Sequence, residues 1–151
     1  MARMHSRKRG KSGSKKPAIK TVPDWVEYSA QEVEDLVTKM GKEGTQPSVI
    51  GLYLRDKYGV PDAKVITGKS IVTLLKTNGI KIDYPEDLLN LIKKANKVRK
   101  HLKVNKKDTH NTVKLLHIEC KIKRLVLYYS GTGKLPKDWK YDPEKAALLV
   151  K

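Results

Sequence analysis

Phenylalanine is absent from this 151-residue chain, and cysteine occurs once, as Cys120. With no Phe, two Trp and 38% apolar residues, the core must be small and made mainly of Leu, Ile and Val. A large pocketed enzyme is therefore not expected. A single cysteine excludes an internal disulfide framework and cysteine-based zinc-finger spacing, and fits a reducing compartment. No apolar run approaches the roughly 18 residues needed to cross a bilayer. The first residues hold no apolar h-region, so no secretory signal and no membrane partner are expected.

Acid is missing from residues 1–20, which carry eight bases: Arg3, Arg7, Lys8, Arg9, Lys11, Lys15, Lys16 and Lys20. Residues 21–90 are near neutral, with a net charge of −3, whereas residues 91–151 carry +12. The whole chain reaches +17. Such a surplus opposes compaction and favours a polyanionic partner. The first 24 residues hold too little apolar surface to offset their ordering entropy, so we expect a basic arm, disordered when free, that orders on a nucleic acid rather than serving only as a solubilising tail.

Every strongly periodic segment reads as helix, which predicts an all-α fold. Ser29 and Glu32 form a capping box ahead of Val33, Leu36, Val37 and Met40. Gly41 and Gly44 are expected to end that helix. Thr45 and Pro47 open a second, which runs to Gly59. Thr67 is expected to cap a third through Ile71, Val72, Leu74 and Leu75, closed by Asn78-Gly79. These elements make a short-helix subdomain over 25–80. Pro85-Glu86-Asp87 starts a long helix with apolar positions at Leu88, Leu89, Ile92, Ala95, Val98 and Leu102. After the polar break Asn105-Lys106-Lys107-Asp108, a second long helix uses Val113, Leu116, Cys120, Ile122, Leu125, Val126 and Tyr129. So short a break predicts an antiparallel hairpin over 81–130. Residues 131–151 form an extension in which Trp139 and Tyr141 lock the tail onto the hairpin, with stacking on an unpaired base as the second choice for Trp139, and Asp142-Pro143 starts a last short helix.

The chemistry points away from catalysis and cofactors. His110, His117 and Cys120 lie along one helix, yet two turns separate the histidines and no fourth ligand is evident, so no metal is expected. Gly131-Thr132-Gly133-Lys134 lacks the Walker spacing and a preceding strand, so it reads as a helix stop. The hairpin mouth carries more information. Lys106 and Lys107 suit phosphates, whereas Asp108 would be repelled by them. An acid among lysines is useful where something other than phosphate is read. Asp108, His110 and Asn111 can meet guanine amines or 2′-hydroxyls in the wide, shallow minor groove of A-form RNA. Asp108 also suits a helix N-cap, and both readings stand together. His101, seven residues earlier, can face the same groove. Of Tyr128-Tyr129, the second is the better core residue and the first can offer its hydroxyl to RNA. A chromatin-type DNA-binding module is the rival, with a helix-turn-helix around 45–77. That region, however, is not net basic and is poor in base-reading Arg and Gln.

The stretch His101-Leu102-Lys103-Val104-Asn105-Lys106-Lys107-Asp108-Thr109-His110-Asn111, with Leu115-Leu116, Arg124-Leu125 and Tyr128, resembles the core of the small-subunit ribosomal protein fifteen family. Met1-Ala2-Arg3-Met4-His5, Pro47-Ser48-Val49-Ile50-Gly51-Leu52, Leu54-Arg55-Asp56-Lys57-Tyr58-Gly59, Pro85-Glu86-Asp87-Leu88 and Leu135-Pro136-Lys137-Asp138-Trp139-Lys140-Tyr141 resemble its archaeal and eukaryotic branch. The resemblance spans essentially the whole chain. It implies a non-enzymatic constituent of the small ribosomal subunit in the cytoplasm. Such a protein binds the central domain of small-subunit rRNA at a three-way junction and a nearby minor groove, contacts neighbouring ribosomal proteins and helps bridge to the large subunit. By motif position it implies a minor-groove role for His101, Asp108 and Asn111, and a junction contact for Tyr128. Asn111 stands where the bacterial form has serine. Asn105, Thr112 and Val113 replace a histidine and two arginines, and no junction role carries over to the turn before Pro85. Lys106, Lys107, His110, Arg124 and the arm residues Arg3, Arg7, Lys8, Arg9, Lys11, Lys15 and Lys16 complete the expected RNA-binding set.

Overall fold

The computed structural model describes residue 13 and residues 21–149, so the expectations for the arm before residue 21 lie outside the described residues. Every described element is an α-helix, and none is long and apolar enough to cross a membrane. The described chain divides into two compact units, split between Ile82 and Asp83.

The first unit holds four helices. α1 (Ala30–Lys42) starts at the expected capping box. The Glu32 N–H donates to Ser29 Oγ at 3.3 Å, and the Ser29 N–H donates to the Glu32 carboxylate at 2.8 Å. That backbone bond, joined by the Ser29 hydroxyl donating to the same carboxylate at 3.0 Å, holds the Glu32 carboxyl below its ordinary range. Its buried face is Val33, Val37 and Gly41, at helical spacing. Gly41 therefore does not end the helix but lies inside it. A Cβ there would run into Leu75 Cδ2 and Ile80 Cδ1, so both of those side-chain ends would have to shift to admit one.

α2 (Pro47–Tyr58) opens with Pro47 in its first turn, where the absent N–H leaves nothing unsatisfied. It closes on Gly59 in the left-handed region at φ +66°. α3 (Ala63–Thr67) was not expected; it is a single short helix capped by Asp62, whose Oδ1 accepts from the Lys64 N–H at 3.1 Å. Thr67 belongs to its end, where the hydroxyl donates to the Ala63 carbonyl at 2.9 Å. The cap of α4 (Ile71–Thr77) is Ser70, which accepts from the Thr73 N–H at 3.2 Å. Sequence reading merged the two because a Thr and a Ser both stand ahead of the same apolar run. Val33, Val37, Ile50, Leu54, Val60, Ala63, Leu74 and Leu75 form the core of this unit.

The second unit is a helical hairpin with a short capping helix. α5 (Glu86–Val104) and α6 (Thr109–Gly131) have 19 and 23 residues, about 28 and 34 Å at the helical rise. Their antiparallel register is fixed by nested pairs. Tyr129 meets Asp87 at one end, Arg99 pairs with Glu119 midway, and His101 meets Asp108 at the tip. Leu88, Ile92 and Ala95 of α5 pack on Ile118, Ile122, Leu125, Val126 and Tyr129 of α6. After α6 the chain folds back, burying Leu135 and placing Trp139 against Tyr84 at 6.3 Å. α7 (Pro143–Leu148) buries Ala146 in the same core.

The inward face of α6 differs from the expected one at its start. Val113 and Leu116 are 51% and 59% exposed, and the facing positions are Leu115 and Ile118. Adjacent helical residues point about 100° apart, so only one of Leu115-Leu116 can follow the seam set by Ile118 and Ile122. Cys120 is half-buried and outside the core cluster.

Candidate nucleic-acid interface

The hairpin tip is built by the end of one helix and the start of the next. Asn105 closes α5, its N–H donating to the His101 carbonyl at 2.9 Å. Asp108 is the N-cap of α6. Its Oδ1 accepts from the Asn111 backbone N–H at 2.9 Å, and its Oδ2 accepts from Asn111 Nδ2 at 2.6 Å. The same Oδ2 lies 2.9 Å from His101 Nε2. On the other side of the ring, Asn105 Nδ2 lies 3.2 Å from His101 Nδ1. With the Asn105 amide donating to Nδ1, the proton of a neutral imidazole sits on Nε2 and donates to Asp108. Asn105 is a tip residue that sequence reading did not single out; its signal was its place four residues after His101.

These bonds hold the Asp108 carboxyl far below the ordinary carboxylate range. The Asn111 backbone N–H contributes most, then the side chains of His101 and Asn111. The group is anionic at any physiological pH. It is not a free, reaching carboxylate, because three of its roughly four acceptor sites are engaged and one on Oδ1 stays open. The capping role is thus present, and the cap is what holds His101, Asp108 and Asn111 in one cluster. His101 is exposed, while Asp108 and Asn111 are half-buried.

Lys106, Lys107 and His110 flank the cluster and are exposed. Arg124 and Tyr128 are exposed on one outward face of α6, in line with His117 and Lys121. They lie about 20 and 26 Å along the helix from Asn111, so they form no part of the tip. Tyr128 stands edge-on to the buried Tyr129 at 5.2 Å. On α5, Lys93, Lys94, Lys97, Lys100 and Lys103 are exposed away from the core. Trp25 is exposed. Arg3, Arg7, Lys8, Arg9, Lys11, Lys15 and Lys16 lie outside the described residues.

The Arg99–Glu119 pair was also missed in the sequence. It is largely covered and ties the middle of the hairpin together. Its members are twenty residues apart, so they become partners only once the antiparallel register is known. Among the described residues, no three His, Cys, Asp or Glu side chains are grouped to hold a metal.

Residues 1–60 match the family model described as the ribosomal S13/S15 N-terminal domain, and residues 72–149 match the one described as ribosomal protein S15. A protein of Methanococcus vannielii is 51% identical over 150 residues, covering 99% of each chain. One from Hyperthermus butylicus is 50% identical over 144 residues, covering 95% of this chain and 89% of its own. Both relatives carry the name small ribosomal subunit protein uS15.

Proposed function

The chain belongs to the ribosomal protein S15 family, and on that premise we propose that it binds the central domain of small-subunit rRNA at a three-way junction and an adjacent minor groove. Like its relatives, it is a protein of the small ribosomal subunit, partnered by rRNA and ribosomal proteins. The family is structural rather than enzymatic, and its membership replaces the chromatin reading. The finer assignment includes a contribution to bridging the large subunit, in the cytoplasmic ribosome.

The preassembled His101–Asp108–Asn111 cluster carries this reading. A polar group enters a groove most effectively when its geometry is set beforehand, because no ordering entropy is then lost on binding. The Asn111 amide retains its oxygen and one N–H, and Asp108 retains one acceptor site. Those atoms match guanine amines and 2′-hydroxyls at a shallow groove. Lys106 and Lys107 supply adjacent phosphate contacts, His110 adds a polar edge, and Arg124 and Tyr128 face the junction. The arm bases Arg3 to Lys16 add charge-driven affinity. The segments 1–24, 25–80, 81–130 and 131–151 then divide the work into arm, helical subdomain, rRNA-binding hairpin and extension.

Nucleotide-level protection of an rRNA fragment holding the junction tests this. Asp108→Ala should weaken binding about tenfold and remove the groove footprint, although it raises the net charge. Its salt dependence should stay that of the parent, whereas each lysine replaced at a phosphate contact flattens the log–log slope by roughly 0.7–0.9. Tighter binding by the alanine variant would favour a purely charge-driven surface and defeat the groove assignment.

A further inference from the structure

We propose that a groove between the second half of α6 and the segment 137–141 is a separate RNA subsite, which takes one unpaired nucleotide with its flanking phosphates. The groove has a volume of about 330 Å³ and lies wholly within the second unit. Its apolar walls are Trp139, Tyr141 and Leu127, and its rim carries Lys123, Lys137 and Lys140. No acidic side chain lines it.

Each feature has a physical counterpart in a nucleotide. Leu127 is 77% exposed, a large apolar surface that a ribose or base edge would cover. Trp139 is half-buried, with Tyr84 packed on one part of its ring and the groove bordering another. The Tyr141 hydroxyl is buried beside Arg99 and Glu119, so the groove is offered its ring rather than a polar tip. Bases stack on such platforms without regard to sequence. Lys123 comes from α6, while Lys137 and Lys140 come from the returning segment, so positive charge stands on two sides of the aromatic surface. That arrangement suits a base between two phosphates. A duplex keeps its base faces stacked internally and cannot use it. Lys123 lies about 22 Å along the helix from Asp108, so the subsite serves a different stretch of RNA from the hairpin tip.

This inference rests on RNA binding by the chain, but not on how the tip reads its groove. The test uses the full chain carrying Trp25→Phe, which leaves Trp139 as the only tryptophan. Single-stranded tetra-adenylate should quench Trp139 saturably, and a twelve-base-pair RNA duplex should not. An abasic tetranucleotide, which keeps the phosphates, should bind roughly five- to a hundredfold more weakly, the worth of one base stack. Lys123→Gln/Lys137→Gln/Lys140→Gln should weaken tetra-adenylate at least tenfold while its circular dichroism and the junction footprint stay unchanged. Equal binding of the abasic strand, undiminished binding by the triple variant, equal quenching by duplex, or tighter binding of a glutamate- and tyrosine-containing peptide would each overturn the subsite. Loss of the junction footprint alone would instead count against the tip.

Discussion

Replacing Tyr129 with Phe should loosen the open end of the hairpin by a predictable amount. The Tyr129 hydroxyl donates to Asp87 Oδ2 at 2.6 Å, across 42 residues of sequence. Tyr129 is only 7% exposed, and Asp87 sits in the first turn of α5. A hydrogen bond to a charged group contributes about 1.5–3 kcal/mol. Asp87 is half-buried, so water recovers part of the loss and the lower end applies, about 1.5 kcal/mol. For a unit of this size that lowers Tm by roughly 6–12 °C. Urea unfolding of the full chain in the Trp25→Phe background, followed by Trp139 fluorescence, reads the unit directly. Alkaline pH supplies a second check. Burial, then the Asp87 hydrogen bond, pushes the Tyr129 phenol up to about 12. A raised phenol contributes its full stabilisation below an ordinary value near 10 and loses it as pH rises toward 12. The gap between parent and Tyr129→Phe should therefore close between pH 10 and 12. A variant within about 0.3 kcal/mol of the parent at pH 7, or a gap that persists undiminished at pH 12, would refute the argument.

Gly41→Ala gains about 1 kcal/mol of helix propensity, but its methyl meets Leu75 and Ile80 in a filled core, where overpacking costs about 1–3 kcal/mol. Urea midpoints should show net destabilisation; a more stable variant would mean that the site is open. Ile118→Ala should lose about 2–4 kcal/mol, whereas Leu116→Ala should stay within about 0.5 kcal/mol, and a reversed order would reject the α6 register. The depressed Asp108 carboxyl stabilises the start of α6 above the ordinary aspartate range near 4, and that contribution is lost as pH falls below it. The protection of the Asn111 amide, the intrinsic exchange rate divided by the observed rate at the same pH, should therefore fall on acidification in the parent and stay level in Asp108→Asn.

Local signals were legible where a single residue type has a single structural use. The Ser29–Glu32 capping box, Pro47 in the first turn of α2, Gly59 as its stop and the polar break before Asp108 all stand where the sequence places them. Helix α3 was not legible. It is five residues long, begins after a Pro and carries β-branched Val65 and Ile66, so no periodicity can develop. The tip was half-legible. His101, Asp108 and Asn111 were identifiable as a set, and Asn105 and the two Asn111 donors lie within four residues of their partners; only the His101–Asp108 bond depends on how two helices meet.

Charge and helical content follow from composition and period alone: a cationic chain without Phe, patterned at 3.6 residues, can only become a set of helices that attract polyanions. Pairing decided the rest. Which of Leu115 and Leu116 faces inward, why Gly41 has no room for a methyl, and how Lys123 comes to share a groove with Trp139 are set by contacts between residues far apart in sequence. Such contacts arise from packing complementarity in three dimensions, and no local window contains both partners.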